Sequence, residues 1–228
     1  MRTRGWIGND VVDLGEPGAC GKERDRRFLE RVFTAEERRH ILDAAAPTVA
    51  LWKAWSAKET AYKIASKLRE RVVFAHQRFE VEPGPAGGAR VWFEDLEIRV
   101  RWETALDYIH CVGHLARRGE EPALADAGRT GLARRLLSAI VRDGKPLDGA
   151  LSRAERASVA SAASERARLL ARQLMARWEL QDAEIVRLWR AWRWSPPVVA
   201  RFGEPVAGFD VSLSHDGRFV AAAVMGPG

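Results

Sequence analysis

Trp55, Glu59 and Lys63 stand at i, i+4 and i+8 within residues 51–67, LWKAWSAKETAYKIASK, a run without Gly or Pro. That composition predicts one helix. The spacing sets an indole, a carboxylate and an ammonium on one stripe of it, with Trp52 a turn before Trp55. Alone, Glu59 and Lys63 read as a surface ion pair worth about 0.2–0.5 kcal/mol. Asp10 is the second candidate. It falls in residues 6–14, WIGNDVVDL, among Ile7, Val11, Val12 and Leu14. A carboxylate on such a buried strand needs a hydrogen-bond network, a cation or a metal ion, and the plain reading is a structural, hydrogen-bonded Asp. Asp13 reads as structural too. The third candidate is Ser212-Leu213-Ser214-His215, just before Asp216-Gly217. A histidine at such a place is commonly only a turn residue.

These candidates need elements to hold them. Residues 6–14 read as a short strand in which Gly8 and Asn9 let the backbone approach something closely. Residues 22–46 read as helical with a break at Phe33-Thr34. Thr34 and Glu37 form a capping-box pair there, and Phe28, Leu29 and Val32 make an apolar face. Arg24, Arg26, Arg27 and Arg31 lie opposite that face, as a solvated surface or a docking surface for an acidic partner. Pro47-Thr48 opens the 51–67 helix, which should run to about residue 70. Strands follow at 72–82, 90–93, 96–102 and 108–115, with PGPAGG at 83–88 as a turn. Residues 117–129 are polar and contain Gly and Pro, so they read as a linker. Beyond it the pattern predicts a helix over 130–143 and a long helix over 152–179, with Ser152 as its N-cap and Glu155 three residues on. A strand follows over 183–194, then strands at 210–213 and 219–224 joined through residues 214–217, where Asp-Gly signals a hairpin. The fold class is α+β. Each half is helices followed by antiparallel strands, which hints at an internal duplication: residues 1–117, a linker at 118–129, and residues 130–228.

The 228 residues are 46% hydrophobic and 30% charged, as expected of a soluble globular protein. No apolar run is long enough for a membrane span, and the basic N-terminus lacks an apolar core of signal-peptide length. Cys20 and Cys111, the only two cysteines, show neither disulfide-scaffold nor zinc spacing, which places the chain in a reducing cytoplasm. A formal charge of +6 favours an anionic partner. No nucleic-acid motif accompanies it.

Three segments together resemble the 4′-phosphopantetheinyl transferase superfamily. Gly8-Asn9-Asp10 looks like the family's G-x-D strand, and residues 55–63, WSAKETAYK, like its W-x-x-K-E-x-x-x-K helix. Ser212-Leu213-Ser214-His215 looks like its S-x-S-H segment, and Phe33-Thr34-Ala35-Glu36-Glu37 is a softer fourth match. The motif order is similar to that of the small holo-acyl-carrier-protein synthases. The length is similar to that of the larger members, in which two fused halves make a pseudo-dimer. The resemblance therefore implies two halves, each of helices on an antiparallel sheet, and a cleft between them. It implies one working site per chain, since the second half has no G-x-D or W-x-x-K-E and YIHCVGHL stands where the first half might carry S-x-S-H. It also makes a monomer plausible.

The implied activity moves the phosphopantetheine arm of coenzyme A onto a serine of an acyl, polyketide or peptidyl carrier protein, releasing adenosine 3′,5′-bisphosphate. Attack on a pyrophosphate needs its charge neutralised, usually by Mg²⁺. Asp10 and Glu59 match the family's metal-binding carboxylates. Val12 stands where many larger members carry another acid, leaving that ligand place to water. Glu59, or a water on the metal, would accept the serine proton. Lys58 and Lys63 would bind phosphate oxygens and stabilise the leaving group, Lys63 as a catalytic residue with Glu59, and Ser214 and His215 would bind the phosphate or sugar of coenzyme A. Arg24, Arg26, Arg27 and Arg31 match the carrier-docking helix in position, and carrier proteins are acidic. A non-catalytic carrier-binding relative, weak in metal because of Val12, is the alternative.

Overall fold

The structure, a computed structural model, describes residues 5–115, 136–142, 144–190 and 193–227. The chain opens with strand β1 (Ile7–Asp13), buried at every position. Helices α1 (Arg26–Val32) and α2 (Ala35–Leu42) follow, separated at Phe33-Thr34 as the capping pattern requires. Thr34 Oγ1 accepts from Glu37 N at 3.3 Å, and Glu37 Oε2 accepts from Thr34 N at 2.8 Å. Helix α3 (Pro47–Leu68) starts on a proline, whose missing N–H costs nothing in a first turn. Strands β2 (Glu80–Pro83), β3 (Ala89–Phe93), β4 (Leu96–Thr104) and β5 (Tyr108–Leu115) complete an antiparallel sheet in the order β1-β5-β4-β3-β2.

Helix α3 lies across this sheet. Ala57, Ala61, Ile64 and Ala65 are buried and pack into one cluster with Phe79, Val91, Phe93, Ile98 and Val100. Small residues on the helix let it sit close to β1. A Cβ at Gly8 would fall 2.3 Å from the Thr60 carbonyl oxygen, so the glycine answers a backbone contact. The expected strand over 72–82 shrinks to β2, with a 3₁₀ turn at His76–Arg78 before it. That segment curls because the carbonyls of His76 and Phe79 are drawn to a buried ammonium described below.

The second unit repeats the plan with β6 (Leu136–Arg142), α4 (Arg153–Arg156), α5 (Ala162–Met175), β7 (Glu184–Val186), β8 (Trp189–Arg190), β9 (Arg193–Trp194), β10 (Val198–Arg201), β11 (Glu204–Pro205), β12 (Asp210–Asp216) and β13 (Phe219–Met225). Its sheets run β12-β13-β6 and β11-β10-β7, with β8 and β9 forming a separate ribbon. Ala167, Leu170, Ala171 and Met175 of α5 pack on Val211, Val220, Ala222 and Val224. The two units give an α+β fold of helices on antiparallel sheets.

Three expectations are corrected here. The helix over 130–143 is β6 where it is described: Leu136–Arg142 pairs antiparallel with β13 along its length, and ladder pairing overrides a weak helical propensity. Residues 130–135 lie outside the described residues, as does the proposed linker at 118–129. The long helix over 152–179 is broken. α4 is capped as expected by Ser152 and Glu155, but Ser161 starts a new helix by accepting from Ser164 N at 3.1 Å. The last hairpin turns later than expected. β12 continues through Ser214 and His215 to Asp216, and the tight turn is Gly217-Arg218, with Gly217 at φ 46°.

β1 is the edge of the first sheet, and its free N–H groups are met by side chains of β12. Ile7 N donates to Asp210 Oδ2 at 2.8 Å, Asn9 N to Ser212 Oγ at 3.0 Å, Val11 N to Ser214 Oγ at 3.2 Å and Asp13 N to Asp216 Oδ2 at 2.8 Å. Alternate β12 residues share a face, so Asp-x-Ser-x-Ser-x-Asp reads every second donor of the edge. Lys67 locks one end, donating to Ile7 O at 2.7 Å, Asp210 Oδ2 at 2.9 Å and Val211 O at 2.7 Å. Arg218 locks the other, with its N and Nε each 2.8 Å from Asp13 Oδ2, and holds the Asp13 carboxyl well below the usual carboxylate range.

Candidate active site

A cavity of about 790 Å³ opens where β1, α3 and β12 meet. Asp10, Glu59, Lys63 and Ser214 stand together in it, so residues far apart in sequence share one cleft. Strand alternation turns Asp10 toward α3, while Asn9 and Val11 donate to β12. Lys63 Nζ donates to Asp10 Oδ1 at 2.9 Å and to Asn9 O at 2.8 Å. Ser214 Oγ donates to the same Oδ1 at 2.8 Å. Among the described residues Glu59 and Lys63 form no ion pair with each other; the ammonium goes to Asp10.

Glu59 lines the cavity and, among the described residues, has no hydrogen-bond partner. Burial, followed by the charge of Asp10, pushes its pKa up to about 7, with Lys63 opposing them. An acid titrating there is poised to accept a proton near neutrality. Asp10 and Glu59, facing one cavity with the Lys63 ammonium beside Asp10, also make a donor set suited to a hard cation. Among the described residues no three His, Cys, Asp or Glu side chains are grouped to hold a metal ion. A Mg²⁺ that takes one or two carboxylates and keeps its waters needs no third. Val12 also lines the cavity and contributes only an apolar wall there.

Lys58 is a correction. Its side chain is fully buried, on the face of α3 away from the cleft, and its Nζ donates to Glu37 Oε1 at 2.8 Å, His76 O at 3.1 Å and Phe79 O at 2.6 Å. Burial lowers its pKa in spite of Glu37. Lys58 is no phosphate ligand: it ties α3 to α2 and to the approach to β2. Ser214 lines the cleft, yet it is buried and committed to Asp10 and Val11. His215 is exposed at the cavity rim.

Trp52 and Trp55 wall the cleft. Trp52 Nε1 donates to Ala19 O at 2.8 Å, and Trp55 stacks on Phe28 at 5.7 Å between centroids. Phe28 thereby links the cleft to α1. Arg24, Arg26, Arg27 and Arg31 are all exposed at or beside α1. Arg26 is paired with Glu30 at 2.7 Å, and the Arg31 guanidinium lies 5.9 Å from the Phe28 ring centre. Sequence reasoning missed Glu16 and Asp216, which line the cavity beside Asp13. Burial raises the Asp216 pKa, against the hydrogen bond from Asp13 N. The polar residue at every second position from 210 to 216 was the available signal for it.

The family model of the 4′-phosphopantetheinyl transferase superfamily matches residues 7–122, just over half of the chain. The chain belongs to this superfamily. The match takes in β1 with Asp10 and α3 with Glu59 and Lys63, the first-unit side of the cleft. Among solved structures, the holo-[acyl-carrier-protein] synthase from Neisseria meningitidis is similar at 18% identity over 49% of this chain and 98% of that one, with a TM-score of 0.41. The Chronobacterium ammoniagenes ACPS–CoA complex is similar at 22% identity over 51% and 99%, TM-score 0.41. Mycobacterium tuberculosis acyl carrier protein synthase is similar at 24% identity over 50% and 97%, TM-score 0.35. No curated protein matches. No helix among the described residues of this superfamily member is long and apolar enough to cross a membrane.

Proposed function

We propose that the chain transfers the 4′-phosphopantetheine arm of coenzyme A to a serine hydroxyl of an acidic acyl, polyketide or peptidyl carrier protein, as a holo-acyl-carrier-protein synthase. The observation that carries this is the shared cavity: Glu59, poised near neutrality, beside Asp10 and Lys63, in a member of the transferase superfamily. In the reaction the serine oxygen bonds to the phosphorus that carries the pantetheine arm. The bond from that phosphorus to the bridging pyrophosphate oxygen breaks, and adenosine 3′,5′-bisphosphate leaves with the electron pair. The serine proton passes to Glu59.

Asp10 and Glu59 are the residues that would hold Mg²⁺, with water in place of a ligand at Val12. When bound, the ion neutralises pyrophosphate charge. Lys63 lies 2.9 Å from Asp10, within reach of a leaving phosphate, and His215 at the rim suits a phosphate or sugar of the coenzyme. Arg24, Arg26, Arg27 and Arg31 offer exposed positive charge to an acidic carrier. Lys58 has no part in this reading. The same reading divides the chain into residues 1–117 and 130–228, makes one cleft per chain, and makes a cytoplasmic monomer sufficient.

The test is a mass shift. Purified protein is incubated with apo carrier proteins of fatty acid, polyketide and peptide synthesis, coenzyme A and Mg²⁺. One carrier or more should gain the phosphopantetheine mass, and Glu59→Gln should abolish the gain while the protein stays folded. No gain on any carrier would sink the proposal.

A further inference from the structure

Ser214 belongs to the second unit and Asp10 to the first, yet one hydroxyl joins them. Val11 N can only donate, and it donates to Ser214 Oγ at 3.2 Å. The Asp10 carboxylate accepts, and Ser214 Oγ lies 2.8 Å from its Oδ1. The hydroxyl proton is therefore committed to Asp10, and Ser214 has no other donor to offer. The residue is 7% exposed, so a phosphate could take that proton only by releasing Asp10. Lys63 reaches the same Oδ1. Both donors thus crowd one carboxylate oxygen, and among the described residues Oδ2 accepts no hydrogen bond.

Resting on the transferase reading above, we propose that Ser214 is a positioning residue for Asp10: its hydroxyl fixes the carboxylate so that Oδ2 is the oxygen open to a divalent cation, and it does not bind coenzyme A. The serine of the S-x-S-H segment then acts on the metal side of the cleft, and only His215 acts on the coenzyme side. Metal affinity becomes a property of the seam between the units, because a hydroxyl from β12 sets the angle of a ligand on β1. Partners that orient metal ligands in this way typically change affinity by 10–100-fold when removed.

The fold supplies a control. Ser212 lies two residues earlier on the same face and takes Asn9 N at 3.0 Å, holding the seam without touching a cleft carboxylate. Mn²⁺ binding to the whole chain is measured by electron paramagnetic resonance, and coenzyme A binding without cation by calorimetry, for wild type, Ser214→Ala, Ser214→Cys and Ser212→Ala. Ser214→Ala should weaken Mn²⁺ by about tenfold or more and leave coenzyme A affinity at the wild-type value. Ser212→Ala should hold Mn²⁺ like wild type. If Ser214→Ala does not fold, Ser214→Cys, nearly the same shape with a weak donor, gives the same comparison. Three results would overturn the assignment: unchanged Mn²⁺ affinity in the Ser214 variants, lost coenzyme A affinity with Mn²⁺ binding intact, or an equal Mn²⁺ loss in Ser212→Ala. A chain that shows the expected Mn²⁺ pattern yet modifies no carrier sinks the transferase reading and leaves the role of Ser214 standing.

Discussion

Glu59→Gln should do more than stop the reaction: without divalent cation it should make the protein more stable, by a margin that grows from about pH 4.5 and is complete above about pH 7. Burial and Asp10 raise the Glu59 pKa from 4.5 to about 7 in the folded chain. Below pH 4.5 the carboxyl is protonated both folded and unfolded, so it favours neither state. Between 4.5 and 7 the folded chain binds the extra proton, and stability falls as pH rises. Above 7 the group is ionised in both states and the full penalty remains. At about 1.4 kcal/mol per pKa unit, that penalty reaches about 3 kcal/mol. Glutamine has nearly the same shape and never ionises, so it carries none of it. Urea unfolding of the two proteins between pH 4.5 and 8.5, in a metal chelator, should give midpoints that start together and separate through pH 5–7, with the variant ahead. Added Mg²⁺ should then raise the wild type more than the variant at pH 8, because the cation binds the ionised site. Parallel pH profiles for the two proteins would refute the reasoning, since they would mean that Glu59 lies in an ordinary solvated environment and is not poised as a base.

Lys58→Ala should cost about 3–5 kcal/mol in urea unfolding, because it strands the buried Glu37 carboxylate and frees two carbonyls; coenzyme A affinity of whatever folds should be unchanged. Gly8→Ala should cost about 1–3 kcal/mol and lower transfer, because the new methyl meets the Thr60 carbonyl and pushes β1, with Asp10, off α3; thermal unfolding and the mass-shift assay read both. Burial above all lowers the pKa of His110 and of His114 to about 4, so their contribution is complete above the unfolded value of 6.5 and is lost as pH falls from 6.5 toward 4. Each is worth up to about 3 kcal/mol, and His114→Asn should flatten the acid limb of a stability–pH curve.

The chemistry was legible where it depended on periodicity. The i, i+4, i+8 stripe brought Trp55, Glu59 and Lys63 to one cavity, and the period of two along β1 turned Asp10 toward them. It was illegible where the partner came from elsewhere. Lys58 neighbours Glu59 in sequence, but one residue is about 100° of helix, enough to carry it from cleft to core. Its destination was set by Glu37, whose free oxygen could not be read from a capping box. Ser214 looked like a phosphate ligand because hydroxyls often are, and only the partner strand shows its proton to be spent. Residues 136–142 misled for a related reason. Their apolar content fits a helix or a buried strand, and β13 decides between them.

The duplication suggested by element order is supported by a shared device. In the first unit the capping-box glutamate, Glu37, takes Val81 N at 2.8 Å and a cation from the long helix, Lys58. In the second, the capping-box glutamate Glu155 takes Ile185 N at 2.9 Å, with Arg172 of the long helix 3.6 Å from its other oxygen. Arg168, buried on that helix, donates to Ile185 O at 3.1 Å, as Lys58 donates to Phe79 O. Strand order agrees, β1-β5-β4 against β6-β13-β12. Aligning β1 with β6 end to end puts Ala139 at the place of Asp10, and matching Lys58 to Arg168 puts Leu169 at the place of Glu59. The scaffold device persists in both units, while Asp10 and Glu59 have no acid at the matching places of the second. A cleft built from β1 and α3 of one unit and β12 of the other can use both copies only if each brings its half. Here the first brings Asp10 and Glu59, and the second brings the strand that holds Asp10 in place.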